Sequence, residues 1–147
     1  MSINTGRNLY SPRDAFIKFH KRKTRYGVIV AHRRAGKTVA CILDLVLRAQ
    51  KSSFDNAKYS YIAPQYNQAK DIGWEYVKQY TIPMLNLDGK KPIPKGIINE
   101  SELKVTLPNG ASIRLYGADN PSRLRGLYHD GVILDEYADM DARIWEV

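Results

Sequence analysis

Residues 28–38 constrain the fold of this chain more than any other stretch. They read Val-Ile-Val-Ala-His-Arg-Arg-Ala-Gly-Lys-Thr, so an apolar β-branched run enters a short polar turn. An apolar-periodic segment follows at once, which predicts a strand, a tight turn and a helix in that order. A turn of this kind surrounds an anion with backbone N–H groups, and the helix N-terminus adds its dipole. The stretch therefore predicts a phosphate-binding loop.

The residue types in the turn suit a nucleotide. Gly36 permits close backbone approach, Lys37 reaches the β- and γ-phosphates, and Thr38 offers its hydroxyl to Mg²⁺. The usual eight-position pattern begins with glycine, whereas this chain has Ala31 there. A basic surface turn that caps an ordinary helix is the alternative interpretation. The predicted loop comprises Ala31, His32, Arg33, Arg34, Ala35, Gly36, Lys37 and Thr38.

Composition bounds the class of protein. The chain has 147 residues, of which 44% are hydrophobic and 26% charged, as expected for one globular domain spanning residues 1–147. No apolar run is long enough to span a membrane, and the polar start does not resemble a signal peptide, so we expect an intracellular protein without a membrane partner. Cys41 is the single cysteine, which excludes an internal disulfide and predicts a small core residue.

The chain is basic, with a net charge of +8 from 23 Lys and Arg against 15 Asp and Glu. An excess of this size favours a polyanionic partner, nucleic acid first. Residues 18–25 concentrate it, reading Lys-Phe-His-Lys-Arg-Lys-Thr-Arg. The same run is equally compatible with contact to DNA, contact to another protein, or a solvated face.

Periodicity predicts the following elements. After a loose start over residues 1–8, Ser11 and Pro12 predict the entry of a short helix. We expect a buried strand at 26–31, a helix at 37–50, a strand at 59–63 and a helix at 65–80. Residues 81–95 contain three prolines and predict an irregular connection.

The second half of the chain predicts more sheet. Asn109 and Gly110 lie between alternating segments at 103–107 and 111–116, which predicts a β-hairpin. Residues 131–134 form an apolar run typical of a fully buried strand, and a helix begins at 139 and continues to the end of the chain. Together these elements predict an α/β fold with a mostly parallel sheet flanked by helices and a β-hairpin insertion.

Two carboxylates complete the predicted site. Asp135 and Glu136 directly follow the apolar run at 131–134. At the end of a strand beside a phosphate loop, Asp135 can hold Mg²⁺ together with Thr38, and Glu136 can polarise the attacking water as general base. The two halves together predict hydrolysis of a nucleoside triphosphate, because neither half alone binds both metal and phosphate.

Arginines are the remaining candidates, since phosphoryl transfer is accelerated by positive charge near the phosphates. Arg33 lies in the loop and can act on its own subunit's nucleotide. Arg123 and Arg125 precede the second strand of the site and can project toward a neighbouring subunit. Solvated loop charges or phosphate contacts to nucleic acid are the alternative, which is favoured for Arg123. His20, His32 and His129 have no matching base or nucleophile nearby, so we assign them no catalytic role. Most of the ten tyrosines are expected to pack within strands and helices.

Taken together, these motifs resemble the N-terminal ATPase domain of the large terminase subunit of tailed bacteriophages, a P-loop NTPase. The matching segments extend from Pro12 to Trp145. They are Pro12-Arg13, Phe16, Phe19-His20, residues 30–38, Tyr61-Ile62-Ala63-Pro64, Leu124-Arg125-Gly126 and Leu134-Asp135-Glu136-Tyr137-Ala138.

The resemblance implies an ATP- and Mg²⁺-dependent motor that moves double-stranded DNA into a procapsid in the bacterial host cytoplasm. It implies a portal protein and a small terminase subunit as partners, and a homo-oligomeric ring, commonly a pentamer. By position, Arg33 corresponds to the family's loop arginine and Arg125 to the arginine proposed to reach the adjacent subunit. The family's adenine-recognising glutamine has no counterpart here, so Arg13 and Phe16 are the candidates for that pocket.

Two parts of the family pattern have no counterpart in residues 1–147. These are the coupling motif after the Asp-Glu strand and the nuclease domain, so we expect an incomplete ATPase domain without nuclease activity. Two other functions fit the same residues. One is a helicase or another DNA-remodelling P-loop ATPase, and the other is a non-hydrolysing module that binds nucleotide or nucleic acid.

Overall fold

The computed structural model describes residues 3–5, 8–85 and 92–146. A five-stranded sheet has the order β4 (Ile98–Asn99), β5 (Lys104–Thr106), β6 (Ser112–Gly117), β3 (Lys58–Ala63) and β7 (Gly131–Leu134). β3 is parallel to β6 and β7, whereas β5 is antiparallel to β4 and β6. The sheet is therefore mixed rather than mostly parallel, because two of its four strand pairs, β4 with β5 and β5 with β6, are antiparallel. β1 (Ile3–Thr5) and β2 (Asn8–Tyr10) form a separate antiparallel pair where a loose start was expected; the rest of residues 1–8 lies outside the described part.

Three helical segments flank the sheet. α1 spans Asp14–His20 and α2 spans Lys37–Gln50, the latter with the predicted bounds. A third helix runs from α3 (Tyr66–Gln68) through a π-helical segment (Ala69–Gly73) into α4 (Trp74–Leu85). The mixed α/β architecture confirms the predicted fold class at this level, and in the described residues no helix is both long and apolar enough to cross a membrane.

Alternation along the strands separates two apolar clusters. Tyr59, Tyr61 and Ala63 of β3 face the larger core, whereas Ile62 belongs to a smaller cluster with Leu124 and Ile144. The larger core includes α2 and α4, so both helices cover the same face of the sheet. Among its fully buried side chains are Trp74, Ile42, Leu43, Leu103, Ile113 and Leu115. Because side chains alternate with a period of two, Asp135 follows Ile133 on the face that α2 covers.

The predicted strand at 26–31 is wrong. These residues join no ladder, and Val28 and Val30 are 89% and 93% exposed. β-branched residues favour a strand only where a neighbouring strand accepts their hydrogen bonds. The described part of the chain pairs β7 with β3 alone. β7 is consequently an edge strand, and Val132 is 40% exposed, so the expectation of full burial for 131–134 is also wrong.

Several helix boundaries also differ from the predictions. The N-cap of α1 is Arg13 rather than Ser11, and no side chain caps it. α4 continues through Pro83 to Leu85, where an irregular connection was expected from residue 81; residues 86–91 of that connection lie outside the described part. After β7 the chain forms 3₁₀ turns at Tyr137–Asp139 and Ala142–Glu146 instead of the expected α-helix. Residue 147 of that expected helix lies outside the described part.

The hairpin prediction is confirmed. Leu107 donates its N–H to Ala111 at 2.7 Å and Gly110 donates to Leu107 at 2.9 Å, which closes the turn between β5 and β6. Gly110 has a φ of 83°, a left-handed conformation that glycine adopts without strain. β4 was not predicted, because two residues are too few to show a period.

Candidate functional site

The loop at residues 31–38 turns into α2 through left-handed backbone. Gly36 is the N-cap with a φ of 92°, and Arg34 also has a positive φ of 62°. The first helical N–H groups of α2 have no partner within the helix, as at every helix start. The first turn of α2 carries no acidic side chain. The loop therefore presents donors and positive charge together.

Lys37 lies over its own loop. Its Nζ donates to the carbonyl of Ala31 at 2.8 Å and to that of His32 at 3.1 Å. Both partners are neutral, and Lys37 forms no ion pair with the described residues. No described carboxylate therefore pairs with the Lys37 side chain beside the turn.

Thr38 and Asp135 meet although 97 positions separate them. The Thr38 hydroxyl donates to Oδ2 of Asp135 at 2.7 Å. Asp135 is 8% exposed, and its Oδ1 accepts the N–H of Glu136 at 3.1 Å. This contact joins the start of α2 to the end of β7. Hydroxyl and carboxylate oxygens are the ligand types that Mg²⁺ prefers in proteins.

A third side chain converges on the same carboxylate. The Tyr61 hydroxyl donates to Oδ2 of Asp135 at 2.7 Å, and Tyr61 is 2% exposed. Burial and the charge of Asp135 raise the pKa of Tyr61, so its hydroxyl stays protonated and acts as a donor. Sequence analysis assigned Tyr61 no part in the site. Its place on the strand beside the Asp-Glu strand was the available signal.

Glu136 occupies a strained backbone position. Its φ and ψ are 53° and 44°, a left-handed conformation that is unfavourable for a residue with a Cβ. Its side chain is exposed, in contrast to the buried Asp135 beside it. The reversal after β7 thus turns one carboxylate inward and leaves the other accessible. Strain of this kind is frequent at functional sites.

Two residues of α1 and its cap contact the loop. Arg13 donates from Nη1 to the Ala35 carbonyl at 2.8 Å. Phe16 is 4% exposed, and a Cβ placed on Gly36 would lie 3.9 Å from its ring. Phe16 therefore packs under the loop, whereas Arg13 lies on its surface. Their suggested contact with adenine stays a prediction.

A buried charge cluster ties α1 to α2. Asp44 is 3% exposed and accepts from Arg22 at 2.8 Å and Arg48 at 2.8 Å, with His20 at 3.4 Å. Burial alone would raise the pKa of Asp44, but hydrogen bonds from these three side chains outweigh it and hold that pKa below its usual value. Two members of the basic run, His20 and Arg22, are therefore structural.

The remaining predicted residues are not drawn into the site. His32, Arg33 and Arg34 are exposed on the loop, and Arg123 and Arg125 are exposed on either side of the buried Leu124. Arg125 has no hydrogen bond or ion pair with the described residues. Burial raises the pKa of Cys41 to about 12, which agrees with an unreactive thiol.

The convergent residues lie outside a cavity on the same side of the molecule as Asp44. A cavity of about 580 Å³ lies between α2 and the first residues of β7, where Asp44, Arg48 and Gly131 are among its lining residues. Lys37, Thr38 and Asp135 are not among them. The candidate site thus lies apart from this cavity and combines a loop with one buried and one exposed carboxylate.

Comparison with known proteins adds a structural relative. The ATPase domain of the large terminase of Thermus phage P74-26 superposes with a TM-score of 0.75 at 22% sequence identity. This chain has the fold of that domain. The superposition covers 93% of this chain and 58% of the phage chain. No family model and no curated protein matches the sequence. The terminase ATPase fold thus agrees with the resemblance seen in the motifs.

Proposed function

We propose that this chain is part of the ATPase domain of a large terminase subunit, which hydrolyses ATP to move double-stranded DNA into a viral procapsid. The contact of Thr38 with Asp135 at 2.7 Å carries the proposal, because it joins the two halves of a nucleotide site across the sequence. The terminase ATPase fold supports the same conclusion. Loop, lysine and carboxylates are then parts of one P-loop site.

The side chains present fit Mg·ATP. Lys37 exchanges neutral carbonyls for phosphate oxygens, a change that strengthens its hydrogen bonds because the new acceptors are charged. Thr38 and Asp135 supply the oxygen ligands for Mg²⁺, which neutralises charge on the phosphates when bound. Arg13 is the candidate for contact with the adenine, since it already reaches the loop backbone at Ala35.

Glu136 acts as the general base in this proposal. Its exposed carboxylate accepts a proton from the water that attacks the terminal phosphate, while Asp135 stays buried. Arg33 stabilises charge on the same subunit's nucleotide. Arg125, held on an exposed loop by the buried Leu124, reaches the nucleotide of a neighbouring subunit in a ring. The portal protein, the small terminase subunit and DNA are the proposed partners of that assembly.

Calorimetric titration with Mg·ATP, combined with ATPase assays on the full-length protein, tests the proposal. We expect Lys37→Ala to weaken Mg·ATP binding by at least about 10-fold, since it removes a charged hydrogen bond. Glu136→Gln should bind within about threefold of wild type and lose about 100-fold or more in turnover. Lys51→Ala, at the opposite end of α2, is the matched control. Unchanged binding by Lys37→Ala, or unchanged turnover by Glu136→Gln, would overturn these assignments.

A further inference from the structure

Tyr61 has an unusual place in the sheet. It belongs to β3, which has strand neighbours on both sides, and it is paired in register with Leu115 of β6 and Ile133 of β7. Asp135 lies two residues after Ile133, directly beyond the end of β7. A tyrosine on the same face of β3 therefore reaches the carboxylate at the strand end, and its hydroxyl donates to Oδ2 at 2.7 Å.

The ring of Tyr61 is confined by the π-helical segment. Gly73 is the last residue of that segment, and a Cβ there would lie 2.7 Å from Cε1 of Tyr61 and 3.1 Å from Cδ2 of Leu115. Real Cβ atoms do not approach so closely, so only glycine lets the ring lie here. π-helical segments are frequently found at functional sites. Sheet and helix together fix where the hydroxyl points.

The same Oδ2 atom of Asp135 accepts from both Tyr61 and Thr38. A Thr38 hydroxyl that ligated a metal would do so through an oxygen lone pair and would keep its proton, so it could still donate to Asp135. Of the two donors, Tyr61 is the one held within the sheet. Without the Tyr61 hydroxyl, Oδ2 would keep only the Thr38 donor, while Oδ1 would still accept the N–H of Glu136.

We propose that Tyr61 is a positioning residue for Mg²⁺ in the nucleotide site, acting by anchoring Oδ2 of Asp135. The inference rests on the proposed function, because it assigns Asp135 to the metal. Groups that orient metal ligands typically change metal affinity by about 10- to 100-fold when they are removed. Tyr61→Phe removes only the hydroxyl and keeps the ring that packs on Gly73.

The test measures nucleotide binding rather than turnover. ADP is titrated calorimetrically into the full-length protein in EDTA and at increasing Mg²⁺, which gives the Mg²⁺ concentration for half-maximal enhancement of binding. We expect Tyr61→Phe to raise that concentration by about 10-fold and to leave ADP affinity in EDTA unchanged. Tyr59→Phe is the matched control. It lies two residues earlier on the same face of β3, and its hydroxyl has no hydrogen bond with the described residues.

A second pair of variants separates positioning from general packing. In an Asp135→Asn background, Tyr61→Phe should cause no further change in Mg²⁺ dependence, because the two act through one carboxylate. Additive effects, or a Tyr61→Phe protein with wild-type Mg²⁺ dependence, would overturn the inference and leave the proposed function intact. A wild-type protein that binds no nucleotide with or without Mg²⁺ would overturn both.

Discussion

Glu136 shows how one backbone position separates two adjacent carboxylates. At the residue scale, Glu136 has a left-handed φ of 53°, as Arg34 of the loop does with 62°. The conformation costs a residue with a Cβ about 1–2 kcal/mol, whereas glycine adopts it freely. Asp135 is buried and the next residue, Glu136, is exposed, so the backbone has to reverse between them. The strained conformation of Glu136 is the result of this reversal.

This strain predicts the relative stability of two variants. Both Glu136→Ala and Glu136→Gly remove the carboxylate, but only glycine relieves the left-handed strain. Glycine's larger unfolded-state entropy offsets part of the gain, so we expect Glu136→Gly to be more stable than Glu136→Ala by about 0.5 to 1 kcal/mol. Urea unfolding of the two variants measures the difference. At the neighbouring Ala138, which has a negative φ, substitution by glycine should instead destabilise. If Glu136→Ala were as stable as Glu136→Gly, the left-handed conformation at this position would not be strained.

The sequence predicts the polar residues of the candidate site but not how their side chains are held. Thr38 and Asp135 were predicted as a pair, and their side chains do meet. Tyr61 could not be separated from nine other tyrosines, since a packing tyrosine and one that donates to a carboxylate have the same strand pattern. The difference depends on Gly73, which lies in a different element.

At the scale of elements, Asp44 connects α1 and its basic C-terminal run to α2. Its carboxylate is 5% exposed and bonds two guanidinium groups, so the cluster is a buried ion pair rather than a surface one. Breaking such a pair leaves charge buried without a partner, and here Arg22 is the more buried of the two arginines. The position of Arg13 and Phe16 against the loop depends on α1, and hence on this cluster.

The pKa of Asp44 predicts how the cluster responds to pH. A folded-state pKa below the unfolded value means that the stabilisation is complete above about pH 4 to 5 and is lost as pH falls through the folded pKa. We expect Asp44→Asn to lower the free energy of unfolding by about 2 to 3 kcal/mol at pH 7. The difference from wild type should shrink in urea unfolding as pH falls below about 4. Asp71→Asn, at an exposed aspartate, should show no comparable change, and a pH-independent loss at Asp44 would exclude the ionised carboxylate as its cause.

Elements with strong local signals were predicted well and those that depend on distant partners were not. α2 has apolar residues at helical spacing, and the turn at Asn109 and Gly110 determines its own hairpin, so both were found. Residues 26–31 have strand propensity but gain no ladder in the described chain. Ala142–Glu146 forms a 3₁₀ turn because only Ile144 of that segment is buried. The sequence pattern of a segment does not show whether a distant segment will pair with it.

At the scale of the whole molecule, the order of strands was beyond the reach of periodicity. β3 lies between β6 and β7, which are 54 and 73 positions later at their first residues, and these pairings follow from side-chain packing across the sheet. The site depends on that order, because it brings Tyr61 beside the strand that ends at Asp135. The likeness to a terminase ATPase domain at 22% identity shows that the same architecture tolerates extensive sequence change.

The distribution of charge over the molecule leads to a prediction about DNA. His20 and Arg22 of the basic run both contact Asp44, so they belong to the buried charge cluster rather than to the exposed basic surface. Four exposed cations are left, and none forms an ion pair with the described residues: Lys18, Lys21, Lys23 and Arg25. If DNA contacts this surface, each phosphate contact releases counterions and adds about 0.9 to the slope of log affinity against log salt concentration.

We therefore expect replacement of all four by glutamine to reduce that slope by about 3.6 in fluorescence anisotropy with a double-stranded oligonucleotide. Nucleotide affinity should stay at the wild-type value, because none of the four contacts the loop at residues 31–38. The matched control carries the same change in net charge at four exposed lysines elsewhere: Lys51, Lys58, Lys70 and Lys95. A specific contact surface predicts a larger loss of slope for the first set. Equal losses from both sets would mean that only the net charge of the molecule attracts DNA and that residues 18–25 form a solvated face.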